Sequence, residues 1–187
     1  MIFQFKISLL DIGIPVWRRV QINSNSYFRE LHEVIQVSFD WYNSHLHEFS
    51  IRKSNGEKIQ NIRLEPQNDF QGINSSADWE YFAPFMEVLN ESDEILSTWF
   101  KKEKDRAVYT YDFGDDWQHD IVLEKIIEPM PDVIYPICQK AKNIAPREDS
   151  RGEIIEDYSE IVNPNSKEIA EEINSLLGEY KSHFDIE

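Results

Sequence analysis

Residues 109–119, Tyr-Thr-Tyr-Asp-Phe-Gly-Asp-Asp-Trp-Gln-His, combine aromatic rings, carboxylates and a histidine around one glycine. The aromatic residues of the first half alternate, as residues on the inward face of a strand do: Tyr109, Tyr111 and Phe113. Residues 114–116, Gly-Asp-Asp, are typical of a turn, and a second strand is predicted to begin near Gln118. The stretch therefore predicts a β-hairpin.

The second strand of this hairpin places a histidine on its apolar face. His119, Ile121 and Leu123 alternate with polar residues, so they share one side of the strand. His119 lies at the turn end of that stripe, where we expect a ligand to reach it.

Two further strands are predicted at the start of the chain. Apolar residues alternate with polar ones through residues 2–10 and again through residues 16–22, and turn-forming residues separate the two stretches. Arg18 falls on the aliphatic face of the second strand. A guanidinium there needs a carboxylate to offset its desolvation, or it extends to water at the sheet edge; we favour the second alternative.

A helix and a His-x-His strand follow. Apolar residues recur at helical spacing through residues 26–39, with Ser26 as the expected N-cap. Residues 44–51 alternate again, and His45 and His47 precede Phe49 and Ile51 on the same face. Alternate strand residues stand about 6.5 to 7 Å apart, so both imidazoles can bind one ion, with His119 as a third ligand. His32 in the helix is interpreted as a surface or packing residue.

The rest of the chain has weaker patterns. Residues 53–106 form a polar and aromatic excursion, expected to act as a lid or interaction surface, with a short helix near residues 95–100. Residues 136–187 form an acidic part with a loop at 138–150 that crosses near the site. We expect a helix near residues 154–162 and a stronger one that begins at either Asn163-Pro164 or Ser166. The face of that helix carries the apolar residues Ile169, Ile173, Leu176 and Tyr180.

These elements predict a single α+β domain over residues 1–187. Its sheet is mixed or antiparallel and has about five strands, formed by two hairpins and the His-x-His strand. The N-terminal helix and the C-terminal helices pack on that sheet.

The amino-acid composition narrows the classes of function that the protein can have. A formal net charge of −16 disfavours nucleic-acid binding, because such affinity rests on lysine and arginine. The candidate basic positions are few: Arg18, Arg19, Arg52, Lys53 and residues 101–106. A single cysteine, Cys138, excludes an intrachain disulfide and a thiolate zinc cage within one chain. With neither a long apolar run nor a leader pattern, we expect a soluble, cytoplasmic protein.

Several segments together resemble one protein family. They are residues 15–19 (Pro-Val-Trp-Arg-Arg), 31–33 (Leu-His-Glu), Trp41 with 44–49 (Ser-His-Leu-His-Glu-Phe), and 109–119 with Ile121. The chain resembles the plasmid pRiA4b ORF-3-like family, some of whose members are labelled TnpR-type passenger proteins of insertion elements. The resemblance implies an α+β domain and a plasmid or mobile-element setting, although no arrangement here resembles a serine-recombinase site.

A later motif of that family has the form Cys-Pro-Pro-Glu-Asp-Cys-Gly-Gly. Residues 145–152, Ala-Pro-Arg-Glu-Asp-Ser-Arg-Gly, correspond to it and lack both cysteines. The carboxylates Glu148 and Asp149 are retained. A thiolate role is therefore in doubt at this position, whereas a carboxylate role is not.

Our main hypothesis is a pocket for a divalent metal or a small ligand. Its candidate ligands are imidazoles and carboxylates: His45, His47, His119, Asp112, Asp115, Asp116, Glu148 and Asp149. Its supporting residues are Arg18, Trp17, Tyr111 and Trp117. Such donors suit zinc, manganese or iron, and an open coordination position would permit hydrolysis by an activated water, so the sequence leaves open whether the protein is an enzyme.

Three alternatives stand beside this hypothesis. The first is structural: Asp115 accepts backbone amides and His119 bridges two strands. The second is a non-catalytic module in which Trp17, Trp117 and residues 53–106 bind a protein partner. The third, disfavoured by charge, is a nucleic-acid-associated accessory protein of a mobile element.

Overall fold

The computed structural model describes residues 1–52, 59–63, 88–151, 161–163 and 165–184. Within these residues the chain forms eight strands and three helices. The strands are β1 (Ile2–Leu9), β2 (Val16–Asn23), β3 (His47–Arg52), β4 (Ile59–Arg63), β5 (Val88–Asn90), β6 (Arg106–Tyr111), β7 (Trp117–Ile127) and β8 (Ile137–Lys142). The helices are α1 (Phe28–Phe39), α2 (Leu96–Trp99) and α3 (Ser166–Phe184).

The strands form one sheet in the order β5-β4-β3-β6-β7-β1-β2-β8. Neighbours are antiparallel except β4 and β5, which are parallel. The α+β fold and the mixed sheet are confirmed, and the sheet is larger than the five strands predicted. The additional strands come from the polar excursion (β4 and β5) and from the expected loop after residue 136 (β8), where local composition gave no strand period.

The helices cover one face of the sheet. Phe28 at the start of α1 packs edge-on against Phe49 of β3, with ring centroids 5.0 Å apart, and stacks on Phe100 beyond α2 at 6.1 Å. Cross-strand neighbours on this face, such as Phe5 and Val20, are fully buried. At the far edge, the Asn174 amide of α3 exchanges two hydrogen bonds with the main chain of Cys138 in β8, at 2.7 and 2.9 Å.

The ends of α1 direct the chain toward the candidate site. At the start, the Glu30 carboxylate accepts hydrogen bonds from the Tyr27 amide (2.7 Å) and the Ser26 hydroxyl (3.1 Å), so the helix begins slightly later than the expected Ser26 cap. At the end, Asp40 adopts a left-handed backbone with φ of 57°. Because that conformation ends the helix, the following residues turn back across the end of the sheet.

Arg18 is buried rather than extended into water, so the prediction that its head reaches the sheet edge is wrong. Its side chain is 2% exposed. It donates hydrogen bonds to four main-chain carbonyls, those of Ser38 (2.7 Å), Asn143 (2.8 Å), Trp17 (3.0 Å) and Lys142 (3.1 Å). Main-chain carbonyls thus bind the guanidinium in place of either the water or the carboxylate expected from the sequence, and these bonds tie α1 to the end of β8.

Smaller differences concern side-chain direction. Phe113 is 46% exposed because β6 already ends at Tyr111. Along α3, Ile169 and Ile173 are buried as predicted, but the buried face continues at Leu177, and Leu176 is 39% exposed. The short helix α2 and the helix beginning at Ser166 are confirmed. The aromatic residues 79–85 and most of the expected helix at 154–162 lie outside the described residues.

No helix in the described part of the chain has both the length and the apolar character needed to cross a membrane.

Candidate cation site at the end of the sheet

The pairing of β3 with β6 places two predicted ligands side by side. His47, the first residue of β3, pairs with Tyr111, the last residue of β6. One step further, the Asp112 amide donates to the Leu46 carbonyl at 2.9 Å. His45 and Asp112 therefore lie next to each other just beyond the ends of the two strands.

The Gly-Asp-Asp turn orients the Asp112 carboxylate. Asp112 has a left-handed backbone, with φ of 53°, and its Oδ1 accepts the amides of Gly114 (2.9 Å) and Asp115 (3.3 Å). A Cβ atom at Gly114 would lie 3.2 Å from Oδ1, so glycine allows this close approach. Because Oδ1 is occupied by the turn, Oδ2 is the oxygen that faces His45, 3.7 Å from its Nε2.

The loop after β8 brings two more carboxylates to this point. Glu148 accepts hydrogen bonds from the Tyr42 amide (2.9 Å), the Ser44 hydroxyl (2.9 Å) and the Tyr111 hydroxyl. Burial alone would raise the pKa of Glu148, but these hydrogen bonds lower it below its ordinary value. Burial and the Glu148 carboxylate together raise the pKa of Tyr111 to about 12. Glu148 thus remains ionised and holds the loop against the strand ends.

His45 is surrounded by acids. Its Nε2 lies 2.8 Å from Asp149 Oδ1 and 3.9 Å from Glu148 Oε1, in addition to Asp112. The contact with Asp149 has the length of an ion pair but not the direction of a hydrogen bond, and Nε2, which is shielded from solvent, has no hydrogen-bond partner. One ligand atom each from His45, Asp112 and Asp149 lie within 4.8 Å of one another.

His47 does not join His45. Its Nε2 lies 2.7 Å from Glu91 Oε2, and its ring stacks on His32 with centroids 3.5 Å apart. The Glu91 carboxylate is almost completely buried, and the His47 side chain is 9% exposed. The two histidines lie in different clusters because β3 begins at His47, after His45. The sequence pattern predicted both residues in one strand and on one face, but His45 lies outside the strand, so the alternation of side chains does not apply to it.

His32 belongs to a saturated hydrogen-bond network. The Tyr109 hydroxyl accepts from Gln36 Nε2 (2.9 Å), so it donates its proton to His32 Nδ1 (2.7 Å). His32 Nε2–H then donates to Asn43 Oδ1 at 2.9 Å. Burial, with a smaller effect from His47, lowers the pKa of His32 to about 3. The hydrogen bonds and the pKa both assign a neutral imidazole.

His119 is sealed in the core, so the prediction that a ligand reaches it is wrong. Its side chain is fully buried, and its ring packs edge-on against Phe39 (4.7 Å) and Trp41 (5.2 Å). Neither ring nitrogen has a partner with hydrogen-bond geometry, although the main chain at Tyr109 and Trp117 weakly favours its protonated form. Burial dominates and lowers the pKa of His119 to about 3. The imidazole acts as a neutral packing group.

The other acids of the turn have structural partners. Asp115 accepts the Arg151 amide at 3.2 Å, and Asp116 accepts the Gln118 side-chain amide at 3.0 and 3.1 Å. The alternative in which Asp115 accepts a backbone amide is therefore confirmed, whereas His119 forms no hydrogen-bonded bridge.

The two tryptophans that were expected to support a site or a partner surface lie in different environments. Trp117 is 1% exposed, with the Arg151 guanidinium 5.0 Å from its ring, so it presents no anchor to a partner. Trp17 is half-buried between Lys6 and Arg19, each 5.4 Å from its ring.

Arg19, one of the candidate basic residues, is also paired with Glu124 at 2.5 Å. With Arg18 buried as well, two of the candidate basic positions are engaged within the fold.

Sequence reasoning missed the buried network. Glu91 lies in a polar turn after β5 and gave no periodic signal. His32 carried a usable signal, because it follows Phe28 by four residues and so continues the apolar stripe of the helix. Its partners Gln36 and Asn43 come from two different segments, and only the tertiary structure brings them together.

The chain is thus an α+β protein with a largely antiparallel sheet and a cluster of His and Asp side chains at one end of it. The family model described as plasmid pRiA4b ORF-3-like protein matches residues 1–187, and the chain belongs to that family.

Two other proteins are similar to the chain over most of its length. The chain is 28% identical over 151 residues to the uncharacterized protein y4hQ of Sinorhizobium fredii, a match that covers 81% of this chain and 67% of that one. It is also similar to the crystal structure of MM3350, a protein of unknown function from Methanosarcina mazei Go1. That match has a TM-score of 0.66 and 33% identity, and it covers 81% of this chain and 75% of the other.

Proposed function

We propose that this protein binds a divalent cation through His45, Asp112 and Asp149. The observation that carries the proposal is the approach of one imidazole nitrogen and two carboxylate oxygens to within 4.8 Å of one another. Glu148 is adjacent, but its oxygens already accept three hydrogen bonds, so we assign it to positioning the loop rather than to the ion.

Two features of the cluster favour an ion over a purely structural role. His45 Nε2 is shielded from solvent and makes no hydrogen bond, although three carboxylates lie within 4 Å of it. Carboxylates gathered at such distances repel one another, and a bound cation offsets that repulsion. An imidazole nitrogen that makes no hydrogen bond is available to act as a metal ligand.

The donor set of one imidazole and two carboxylates suits both Mn²⁺ and Zn²⁺. Carboxylate oxygens suit Mg²⁺, Ca²⁺ and Mn²⁺, whereas imidazole suits zinc, copper, iron and nickel; Mn²⁺ accepts both. No thiolate contributes, because Cys138 is buried in β8 and burial raises the pKa of its thiol to about 11. Iron remains a third metal to test.

The site is open on one side. Asp149 is 68% exposed and the His45 side chain 31% exposed. An ion held at this rim would keep coordination positions for water or for an oxygen of a small ligand, which is the arrangement that catalytic metal sites use.

A metal titration with a matched pair of variants tests the proposal. Protein purified without chelator or affinity-tag metal is titrated with MnCl₂ and ZnCl₂ by calorimetry, in wild type, Asp112→Asn and Asp116→Asn. Both substitutions remove one negative charge from the same turn, but only Asp112 faces His45. We expect Asp112→Asn to weaken binding by about tenfold or more while Asp116→Asn stays within about twofold of wild type.

The proposal fails if neither metal gives saturable binding up to about 1 mM, an affinity of about −4 kcal/mol. It also fails if the two variants lose equal affinity, because that result would indicate attraction by general charge alone.

A further inference from the structure

The face of the sheet opposite the helices, which we call the open face, carries an excess of positive charge. Strand alternation directs every second side chain of β1, β2, β6, β7 and β8 to this face. The whole chain has 35 acids against 19 lysines and arginines. Over these five strands the open face has the opposite balance, with six cations and two acids: Lys6, Arg19, Arg106, Lys125, Lys140 and Lys142, with Asp120 and Glu124.

Four of these cations lie in one row across the strands. Lys140 of β8 is opposite Arg19 of β2, and Arg19 is opposite Lys6 of β1. Lys6 is also opposite Val122 of β7, whose other partner is Arg106 of β6. Because neighbouring strands lie about 4.8 Å apart, the row is roughly 19 Å long. Like charges directly opposite each other destabilise a sheet, so the stability of the sheet does not account for this row.

The two acids of the open face neutralise only part of this charge. Glu124 pairs with Arg19 at 2.5 Å, and Asp120 lies 3.5 Å from Arg106. The other cations of the face form no ion pair with a carboxylate in the part of the chain that the structure describes: Lys6, Lys125, Lys140 and Lys142. Their charge is therefore available to a partner.

A groove of about 680 Å³ lies beside the row. Its lining includes four cations and one acid: Arg19, Lys104, Lys125 and Lys140, with Glu124. The three lysines are exposed, so a bound molecule can contact them. The groove is open to solvent rather than enclosed, which suits a chain segment that lies across the strands.

Of the two common polyanions, an acidic polypeptide fits this surface better than a nucleic acid does. Surfaces that bind single-stranded nucleic acid combine cations with aromatic rings on which bases stack. Trp17 is the one aromatic side chain that these five strands place on the open face, and Lys6 and Arg19 already lie 5.4 Å from its ring. The net charge of −16 also repels a long polyanion. A short acidic segment needs neither a stacking ring nor a long contact.

We propose that the open face binds an acidic segment of a partner polypeptide, in which Asp or Glu occupies every second position. Alternate residues of an extended chain stand about 6.5 to 7 Å apart, so about three carboxylates fit along a row of roughly 19 Å. They pair with Lys6, Lys140 and the lysines of the groove. This inference is independent of the proposed ion, because none of the three ligands proposed for the ion lines the groove.

Three probes of similar length test the kind of partner. They are a peptide of about ten residues in which Glu alternates with Ser, the same peptide with Gln in place of Glu, and an oligothymidylate of about ten nucleotides. Each is titrated into the protein at about 50 mM salt, where screening is weak, and followed by two-dimensional amide NMR.

We expect saturable shifts with the Glu peptide, centred on β1, β2 and β8, with a dissociation constant below about 1 mM. The Gln peptide should show no saturation, because it has no charge to pair with the lysines. The oligothymidylate should bind at least about fivefold more weakly than the Glu peptide, because its bases find no free ring on the open face.

A matched pair of double variants tests the location. Lys6→Gln/Lys140→Gln removes two charges from the row, whereas Arg29→Gln/Lys167→Gln removes two charges from exposed positions on α1 and α3. The two variants therefore have the same net charge. We expect the first to weaken binding of the Glu peptide by about fivefold or more, and the second to stay within about twofold of wild type.

Three results would overturn the inference. The first is the absence of saturable shifts with the Glu peptide. The second is an oligothymidylate that binds as tightly as the Glu peptide or more tightly, which would indicate a nucleic-acid surface. The third is an equal loss of affinity in the two double variants, because the position of the cations would then have no effect.

Discussion

Two histidine clusters lie near the same end of the sheet, and they differ in whether their polar atoms are satisfied. In the buried cluster, His32 uses both ring nitrogens, and Tyr109, Gln36 and Asn43 complete the network. In the rim cluster, His45 Nε2 faces three carboxylates without a hydrogen bond. The first cluster holds the fold together, and the second is the cluster for which we propose ion binding.

The difference follows from where each histidine enters the sheet. His47 is a strand residue, so the pleat turns it into the core, where Glu91 and His32 meet it. His45 is two residues earlier and outside the strand, so its ring remains at the surface with the turn and loop acids. Although the two histidines are only two residues apart, His47 is therefore structural and His45 is a candidate ligand.

The largest expected effect concerns the buried cluster. His32→Leu removes the acceptor of the Tyr109 hydroxyl proton and the donor to Asn43 Oδ1, and we expect it to lower the free energy of unfolding by about 3 kcal/mol. Chemical denaturation measures this change. Arg29→Ala on the same helix removes only an exposed pair with Glu33 and should cost less than about 1 kcal/mol. Equal losses in the two variants would contradict the structural role of His32.

The next effect concerns the rim cluster. At a Mn²⁺ concentration of about 100 times its dissociation constant, the ion should stabilise the wild-type protein by about 2.7 kcal/mol. His45→Gln should show little of this stabilisation, while Asp116→Asn should retain it. Thermal unfolding with and without MnCl₂ measures the difference. A gain that persists in His45→Gln would place the ion elsewhere.

Acid should destabilise the protein through its buried imidazoles. Because the pKa values of His32 and His119 fall from 6.5 to about 3 on folding, the unfolded state binds more protons between these values. Stability is then lost as pH falls below 6.5, by up to about 1.4 kcal/mol per pH unit for each histidine.

The variant His119→Leu isolates one of these two contributions. It should remove about half of the loss measured by denaturation between pH 6 and 4. At pH 7 it should leave stability within about 1 kcal/mol of wild type, because the imidazole nitrogens have no hydrogen bond to lose. A variant with the same acid sensitivity as wild type would refute the assignment of a neutral His119.

The smallest effect is expected for Asp112→Asn without metal. The amide oxygen can still accept the Gly114 amide, and removal of one charge relieves repulsion among the rim acids. We expect a change in the free energy of unfolding of less than about 0.5 kcal/mol by denaturation. A loss of more than about 2 kcal/mol would show that the carboxylate is structural and would remove the contrast between the clusters.

Much of the fold could be predicted from the local pattern of apolar and polar residues. The alternation in β1, β2, β6 and β7 and the helical spacing of α1 predicted their existence and their buried faces, because strands and helices repeat at two and about 3.6 residues. The strands β4, β5 and β8 were not predicted. Their residues gain strand structure by pairing with neighbours distant in the sequence, as Trp17 pairs with Lys142, so their own composition carried little signal.

For the candidate site, the sequence identified the possible ligand residues but did not show which of them lie together. It identified His45, Asp112, Glu148 and Asp149, and the structure brings them to one rim. It also grouped with them His47 and His119, which the structure buries elsewhere. Periodicity predicts which residues share one face of a strand, but it does not predict the residue at which the strand begins.

The sequence by itself determined the family, the α+β class and the chemical kinds of side chain available, since these depend on residue identity and short-range period. The tertiary structure alone decided which imidazoles are satisfied, which carboxylates converge, and that Arg18 is buried against main-chain carbonyls, with no carboxylate paired to it among the described residues. Those properties depend on contacts between separate segments, some of them more than 100 residues apart, such as Arg18 with Asn143 and Ser44 with Glu148. Only the packed chain brings such segments within hydrogen-bond distance, because no local rule fixes their separation.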